Sequence, residues 1–187
     1  MPIKVITAPT VEPLSLADSK LLLKIDGSDR DTELTMAIKS AREYCEGYQN
    51  KKYITQTLEL ILDDFISEIE FLSCSPVQSI TSIKYTDSAG VEYTIDAADY
   101  ILDNVSFINK VVPSYNKFWP TTILQPINSI KIRFVAGYGL AVSVPEAVKW
   151  AMILHMRLLL DDYRPDERIR LEQSRNELLG QKRVVLV

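Results

Sequence analysis

Apolar residues recur at helical spacing near the start of the chain. Between residues 31 and 50 they are separated by four, three, four and three positions, which is the period of one face of an α-helix. This pattern predicts a long helix that ends near residues 47–50, with Asp31 or Thr32 as its cap. A shorter helix is expected before it, because Ser15 is followed by Asp18 and then by a cluster of leucines.

Two further helices are predicted towards the C-terminus. A broad apolar face follows Pro145, a residue suited to the start of a helix, so we expect a third helix over residues 145–162. Arg164-Pro165 should end it, because proline cannot continue a helix. A charge-rich fourth helix is predicted over residues 166–179, and Gly180 should terminate it.

Between these helical regions the period of apolar residues changes to two. Alternation of this kind is typical of β-strands with one buried face. The turn residues Asp87-Ser88-Ala89-Gly90 predict a hairpin between two of the strands. The seven predicted strands are residues 55–62, 69–72, 79–86, 92–95, 100–102, 107–112 and 129–135.

This order of elements predicts an α+β fold. Two N-terminal helices, a long third helix and a C-terminal helix with a tail would form a helical core, and the strands would form an antiparallel β module inserted into it. The predicted boundaries place residues 1–53 and 137–180 in the helical core and 54–136 in the β module. Residues 181–187 form an interaction tail.

Composition narrows the class of protein. The 187 residues are 47% hydrophobic and 25% charged with a formal net charge of -4, which is typical of a mildly acidic globular protein. A surface that holds nucleic acid tightly is normally basic, whereas a channel wall along which DNA slides should repel phosphate. We expect a cytoplasmic product without a membrane span, in which Cys45 and Cys74 are buried, reduced thiols.

The residues show no pattern for catalysis or metal binding. His155 is the only histidine, and its place on an apolar helix face favours a core or interface role over that of a base. The segment 137–142 has Val142 in place of the third glycine of a dinucleotide loop and favours a plain turn. Asp26, Asp29 and Asp31 lack the spacing of a calcium loop. We therefore predict no enzymatic activity, no cofactor and no metal site.

Two regions are candidates for contacts with other chains. The tail ends in four apolar, mostly β-branched residues, which we expect to be unanchored and outside the core, and this suits pairing with another polypeptide. The tail consists of Gln181, Lys182, Arg183, Val184, Val185, Leu186 and Val187. Aromatic residues of one loop and charges of the fourth helix are the candidates for inter-subunit or tail-side contacts. They are Tyr115, Phe118, Trp119, Arg168, Arg170 and Glu172. Capping of the β core by the aromatic rings, and plain solvation of the charges, are the alternatives.

Several short motifs follow one another in a distinctive order over most of the chain. They are Glu12-Pro13-Leu14-Ser15-Leu16-Ala17-Asp18, Ala41-Arg42-Glu43-Tyr44-Cys45-Glu46-Gly47-Tyr48, Ile54-Thr55-Gln56-Thr57, Trp119-Pro120, Phe134-Val135-Ala136-Gly137-Tyr138-Gly139 and Val144-Pro145-Glu146-Ala147-Val148. With them the chain resembles the head-tail connector proteins of tailed bacteriophages, which are also called adaptor or head-completion proteins and are often labelled DNA-packaging proteins. Lys52 stands where that family usually has an arginine.

The resemblance implies a structural protein of the virion, made in the cytoplasm of a bacterial host. Such proteins assemble as a ring, typically of twelve copies, beneath the portal protein at the head-tail junction. The ring extends the channel for double-stranded DNA, which passes without sequence-specific binding, and it receives the next neck or tail-completion protein. The resemblance also implies that the C-terminal tail docks on the portal. No membrane partner is expected.

Two other functions remain open from the residues. The first is a DNA-binding packaging factor that resembles a small terminase, which would need a basic helix face or a helix-turn-helix pattern. Neither pattern is visible in the sequence. The second is a hydrolase, which would depend on His155 or on a pair of carboxylates in a cleft.

Overall fold

The computed structural model describes residues 2–184, and these form four helices and two antiparallel sheets, which confirms the predicted α+β class. Contacts within the chain divide it into two compact units. The β unit consists of residues 2–8 and Thr55–Gly137, and the helical unit of Pro9–Ile54 and residues 138–184. The first residues therefore belong to the β unit, although the predicted boundaries assigned them to the helical core.

The β unit contains eight strands within the described residues. The larger sheet has the order β1-β2-β8-β4-β5, and the smaller sheet has the order β3-β7-β6. The strands are β1 Ile3–Thr7, β2 Gln56–Leu62, β3 Ile69–Glu70, β4 Val77–Thr86, β5 Glu92–Ile95, β6 Tyr100–Asp103, β7 Lys110–Pro113 and β8 Ile130–Ala136.

Strand β1 is the element that the sequence pattern does not predict. It pairs antiparallel with β2, where Ile3 lies opposite Leu60 and Val5 opposite Leu58. As an edge strand it buries almost nothing, because Ile3 is partly buried and the other four residues are exposed. Its pattern therefore lacks the alternation that marks a half-buried strand. The partner strand, far along the chain, supplies the hydrogen bonds that define it.

The core of the β unit contains apolar residues from both sheets. In the larger sheet, Phe134 pairs with Leu58 and Ile132 with Leu60, so that alternate residues of the two central strands share one face. Phe134 and Ile132 are fully buried, as the alternation predicts. The Phe134 ring lies 4.7 Å from that of Phe71, measured between ring centroids, and this contact anchors the core.

The helical unit contains the four helices α1 Leu16–Leu23, α2 Asp31–Gln49, α3 Glu146–Leu160 and α4 Pro165–Gly180. Ser15 caps α1 as predicted, since its Oγ accepts a hydrogen bond from the backbone N–H of Asp18 at 3.0 Å. The predicted cap of α2 is wrong. Arg30 holds the N-cap position, and Asp31 lies inside the first turn, where its carboxylate pairs with Lys20.

Helices α2, α3 and α4 enclose the core of the helical unit. The apolar face predicted for α2 is buried, and it meets Ala151 and Met152 of α3, which are both fully buried. His155 is also buried, at 8% exposure, in agreement with its place on the apolar face of α3. The core cysteine Cys45 is buried here, and Cys74 is buried in the β unit.

The turn before α3 depends on glycine. Gly139 has φ +125°, a backbone conformation that residues with a Cβ rarely adopt, and an added Cβ would lie 3.3 Å from Ser143 Oγ.

We expect Gly139→Ala to lower the free energy of unfolding by about 1 to 3 kcal/mol. Urea denaturation measures this. Gly47→Ala is the control: Gly47 lies in the last turn of α2 with open space around it, so alanine there should not destabilise and should stabilise by up to about 1 kcal/mol. Equal effects of the two substitutions would contradict the prediction.

Candidate functional site

The C-terminal tail is anchored at Val184. Its backbone N–H donates to the carbonyl oxygen of Gln49 at 3.0 Å, its own carbonyl accepts from Asn50 Nδ2 at 2.9 Å, and its side chain is 1% exposed. The prediction of an unanchored tail is therefore wrong for Val184. The residue finds a place in the core because the end of α2 offers it a matching donor and acceptor. Val185, Leu186 and Val187 lie outside the described residues.

The end of α2 is built to receive the tail. Asn50 adopts a left-handed conformation with φ 55°, as helix C-caps often do. The side chain of Gln49 donates to the carbonyl oxygen of Leu179 at 2.6 Å and accepts from the Tyr53 hydroxyl at 2.8 Å. Through these bonds Gln49 holds the end of α4 beside the end of α2. The tail therefore starts from a fixed point.

The three residues between α4 and Val184 are accessible, and two of them are basic. Gln181, Lys182 and Arg183 are exposed. The guanidinium carbon of Arg183 lies 4.6 Å from the ring centroid of Tyr48, at cation–π distance. Burial, and to a smaller extent the charge of Lys182, lowers the pKa of Lys51. This part of the predicted tail forms a small positive surface at the end of α2.

A second feature is the buried carboxylate of Glu46 in α2. It accepts the backbone N–H of Tyr53 at 2.9 Å and lies 3.3 Å from both Arg42 Nη1 and Lys52 Nζ. Arg42 in turn donates to Glu12 at 2.7 Å. The side chains of Arg42 and Glu46 are 6% and 3% exposed. The network fixes the segment after α2 and the segment before α1 to the same helix.

Sequence reasoning misses this network, although a signal for it exists. Arg42, Glu46 and Gln49 are spaced four and three residues apart in α2, beside the apolar stripe of the same helix. All three are buried. Polar residues at helical spacing next to a core face therefore indicate a buried network here, because isolated buried polar groups are costly.

The only histidine of the chain belongs to a third arrangement. Arg175 Nη1 lies 2.9 Å from His155 Nδ1, and both side chains contact the Tyr44 ring, at 4.1 Å between the ring centroids and at 4.3 Å from the guanidinium carbon. Because the guanidinium always donates, Nδ1 is the acceptor and the ring is neutral. Burial, followed by the charge of Arg175, lowers the pKa of His155 to about 4. The group serves to join helices α2, α3 and α4.

This arrangement makes stability depend on pH. Unfolded His155 binds a proton as the pH falls through its ordinary value of 6.5, whereas the folded ring stays neutral down to about 4. The stability that the neutral ring contributes is thus present above pH 6.5 and is lost as the pH falls towards 4.

We expect His155→Asn, which keeps an acceptor near the Nδ1 position, to lack this dependence on pH. The difference in free energy of unfolding between the wild type and the variant should therefore shrink by about 2 kcal/mol when the pH is lowered from 7.5 to 4.5. Urea denaturation at several pH values measures this, and a difference that stays constant with pH would contradict it.

The aromatic loop of the β unit divides into buried and projecting residues. Trp119 does not project: it stacks on Phe65 at 5.3 Å between centroids, and its Nε1 donates to the carbonyl oxygen of Ser67 at 3.4 Å. It caps the β core, which is the alternative reading of the sequence. Tyr115 and Phe118 are 89% and 88% exposed. These two rings are the ones available to a partner.

Beside this loop lies a cavity of about 270 Å³ within the β unit. Phe118 and Trp119 line it together with Tyr85, Asp96 and Asp99. Asp96 caps a short 3₁₀ turn by accepting the backbone N–H of Ala98 at 2.9 Å. Asp99 pairs with Lys117 of the loop at 2.8 Å. The cavity is therefore both aromatic and acidic.

The charged candidates of α4 differ in their surroundings. Arg168 pairs with Glu172 at 3.1 Å on the helix surface, and Arg164 pairs with Glu167 at 3.1 Å. Arg170 is exposed, and within residues 2–184 no carboxylate lies within ion-pair distance of it. Arg175, by contrast, is buried against His155. Arg170 is thus an exposed arginine of α4 that residues 2–184 leave without an ion pair.

The outer face of the larger sheet carries charges of both signs. A depression of about 370 Å³ is lined by four basic residues and two acidic ones; they are Lys4, Lys84, Lys131, Arg133, Glu59 and Glu92. Arg133 bonds Glu59 at 2.7 Å and Lys84 bonds Glu92 at 2.7 Å. The ion pairs neutralise much of this face, so it does not form the continuous basic surface that DNA binding requires.

The glycine turn, the candidate metal ligands and the apolar helices can each be compared with the functions that their sequences suggest. After the glycine turn a 3₁₀ turn, Ala141–Ser143, comes first, so α3 does not start at the glycines as a phosphate-binding loop would need. In the described part of the chain, no group of three or more histidine, cysteine, aspartate or glutamate side chains is placed to hold a metal ion. Among the same residues, no helix is both long and apolar enough to cross a bilayer.

Comparison with known proteins finds similarity in fold alone. No protein-family model and no curated protein matches the chain. A chain from the neck of an empty gene transfer agent particle, computed with C6 symmetry, is 21% identical with a TM-score of 0.79. A chain from the virion of a native gene transfer agent particle is 22% identical with a TM-score of 0.77. A chain from the neck of a native particle computed with C12 symmetry is 20% identical with a TM-score of 0.72. Each match covers 100% of this chain and 97% of the other.

Proposed function

We propose that this protein is a structural component of the neck of a phage-like particle. Copies of it form a ring beneath the portal protein, extend the DNA channel and join the head to the next neck or tail-completion protein. The proposal rests on one observation, the likeness of fold over the whole chain to chains from gene transfer agent necks. The role is mechanical, and the protein acts in the virion after synthesis in a bacterial cytoplasm.

A ring of twelve copies is the assembly that we propose. Two of the similar structures were computed with C6 and C12 symmetry, and a twelve-fold ring contains the six-fold axis as well. In a closed ring each copy presents two different surfaces to its neighbours, so opposite charges can meet across each contact. The mixed charges of α4 suit such a contact better than they suit a nucleic acid.

The decisive test is the native mass of the purified protein, alone and after mixing with the portal of the same particle. We expect stoichiometric joining of a ring to the portal. A protein that ignores the portal and instead retards double-stranded DNA, with a steep dependence on salt, would favour the packaging-factor alternative. The ion pairs on the sheet face and the net charge of -4 lead us to expect no retardation at moderate salt.

We propose the C-terminal tail, residues 181–187, as the element that docks on the portal. Gln181 and the basic residues Lys182 and Arg183 are exposed, and Val184 anchors the tail to α2 immediately before the last three residues. Docking of a short segment from a fixed start costs less ordering entropy than docking from a free one. Binding to the portal then also orients each copy in the ring.

Removal of residues 185–187 tests the tail. The shortened chain still ends in Val184, so its hydrogen bonds to Gln49 and Asn50 remain and the helical unit should keep its stability. We expect the affinity for the portal to fall at least about tenfold, a loss of roughly 1.4 kcal/mol. Lys39→Ala, at an exposed position of α2, is the control and should bind normally. Unchanged binding after removal of the whole tail, 181–187, would refute its role.

A further inference from the structure

We infer that the aromatic and acidic cavity of the β unit receives the side chain of Arg170 from a second copy of this chain. The inference rests on the proposed ring and assigns one of its inter-subunit contacts. It joins two groups of residues, the aromatic loop and the charged face of α4, each of which the sequence marks as a candidate interface. The contact is heterologous, since a cavity of one copy meets a helix of the next, and such contacts generate closed rings.

The lining of the cavity is chemically suited to a cation. Aromatic faces attract guanidinium groups through their quadrupoles, and Trp119 and Tyr85 provide such rings beside the carboxylates of Asp96 and Asp99. Arginine suits this mixture better than lysine, because its planar group both stacks on rings and donates to carboxylates. The volume of about 270 Å³ is below the range of about 300 to 1,000 Å³ typical of small-molecule sites. A single long side chain fits this size.

The walls of the cavity are held in place within the chain itself. Trp119 is fixed by its stack on Phe65 and by its bond to Ser67, and Phe65 meets the Tyr85 ring edge-on at 5.9 Å between centroids. Asp96 is held by the turn that it caps. A site whose walls are already ordered loses little entropy when it binds.

The charges in and beside the cavity leave room for one further cation. Asp96 and Asp99 together carry two negative charges, and Lys117 supplies one positive charge at 2.8 Å from Asp99. One negative charge therefore remains uncompensated. The pKa of Lys117 is raised by its hydrogen bond to Asp99 and, more weakly, by the charge of Asp96, so both carboxylates favour a cation beside them.

Arg170 of α4 is the side chain that we expect to compensate this negative charge. Its neighbours Arg164 and Arg168 are paired with glutamates of their own helix. Arg170 is exposed, and the described part of the chain offers it no carboxylate at ion-pair distance. An exposed arginine that the described residues of one copy leave unpaired is complementary in charge to a cavity that lacks one positive charge.

The test compares ring assembly on the portal by native mass measurement for two variants and their combination. Arg170→Ala removes the guanidinium at an exposed helix position that alanine tolerates. The double substitution Asp96→Asn with Asp99→Asn removes the negative charge while an amide oxygen can still cap the turn. We expect each variant to raise the concentration needed for ring assembly at least about tenfold, and the combination to do no more than either alone.

The control is Lys39→Ala, which removes a cation from an exposed position of α2, outside both proposed contact surfaces, and should assemble normally. Circular dichroism and thermal unfolding show whether each variant keeps the fold. Normal ring assembly of the Arg170→Ala variant would overturn the inference, as would effects of the two variants that simply add. Neither result would contradict the proposed ring itself. A wild-type protein that forms no ring with the portal would refute the proposed function and, with it, this contact.

Discussion

Replacing Glu46 by alanine is expected to lower the free energy of unfolding by about 3 to 5 kcal/mol, as the loss of one partner of a buried ion pair does. The change removes the acceptor for the Tyr53 N–H and the counter-charge for Arg42 and Lys52 at once. Arg42 stays buried, so its guanidinium keeps the cost of desolvation without this compensation. Urea denaturation at neutral pH measures the effect.

Two further substitutions separate the buried network from general charge effects. Glu43→Ala also removes a carboxylate near Arg42, at 3.8 Å, but its side chain is 58% exposed, so we expect a change within about 0.5 kcal/mol. Glu46→Gln retains an acceptor for Tyr53 and loses only the charge, so it should fall between the two. A loss below about 1 kcal/mol for Glu46→Ala would show that the network adds little to stability.

Phe134→Ala is expected to lower the free energy of unfolding of the β unit by about 3 to 5 kcal/mol. The ring is fully buried, in strand β8 between β2 and β4, and it packs on Phe71. Truncation leaves a cavity at the centre of this core, and the fixed register of the three strands restricts how far the walls can collapse. The loss is measured by urea denaturation followed by circular dichroism.

The β unit itself offers a matched control. Phe118 is the same residue type in the same unit but is 88% exposed, so Phe118→Ala should change stability by less than about 0.5 kcal/mol. Phe134→Leu should cost clearly less than Phe134→Ala, because leucine fills most of the space. If Phe134→Ala and Phe118→Ala had similar effects, the assignment of Phe134 to the centre of the core would be wrong.

Elements with strong local periodicity are the ones that sequence reasoning recovers. Strand β8 is predicted almost to the residue because Ile130, Ile132 and Phe134 alternate with polar neighbours, and all three are buried. Helix α2 is recovered from its apolar stripe for the same reason. Strand β1 is not, because an exposed edge strand has no periodic signal and is defined by hydrogen bonds to β2.

The candidate sites are recovered less completely than the fold. The sequence marks the aromatic loop but does not distinguish Trp119, which is stacked on Phe65, from Phe118, which projects. It marks the tail but treats Val184 as unanchored. Each error concerns a contact between residues distant in the chain, and spacing along one segment carries no information about such a contact.

Local spacing and composition settle much about this protein: the α+β class, four helices, most strands, the buried cysteines and a net charge of -4. These properties follow from neighbours in the sequence, because burial of one face imposes a period of two or of 3.6 residues. The tertiary structure decides which polar side chains are buried and which partners they bind. Whether Arg170 faces solvent or Arg175 meets His155 depends on which helix packs against α4, and the partner of Gln49 is a carbonyl oxygen at the far end of the chain. Hydrogen bonds and ion pairs require atoms within a few ångströms, and only folding brings those atoms together.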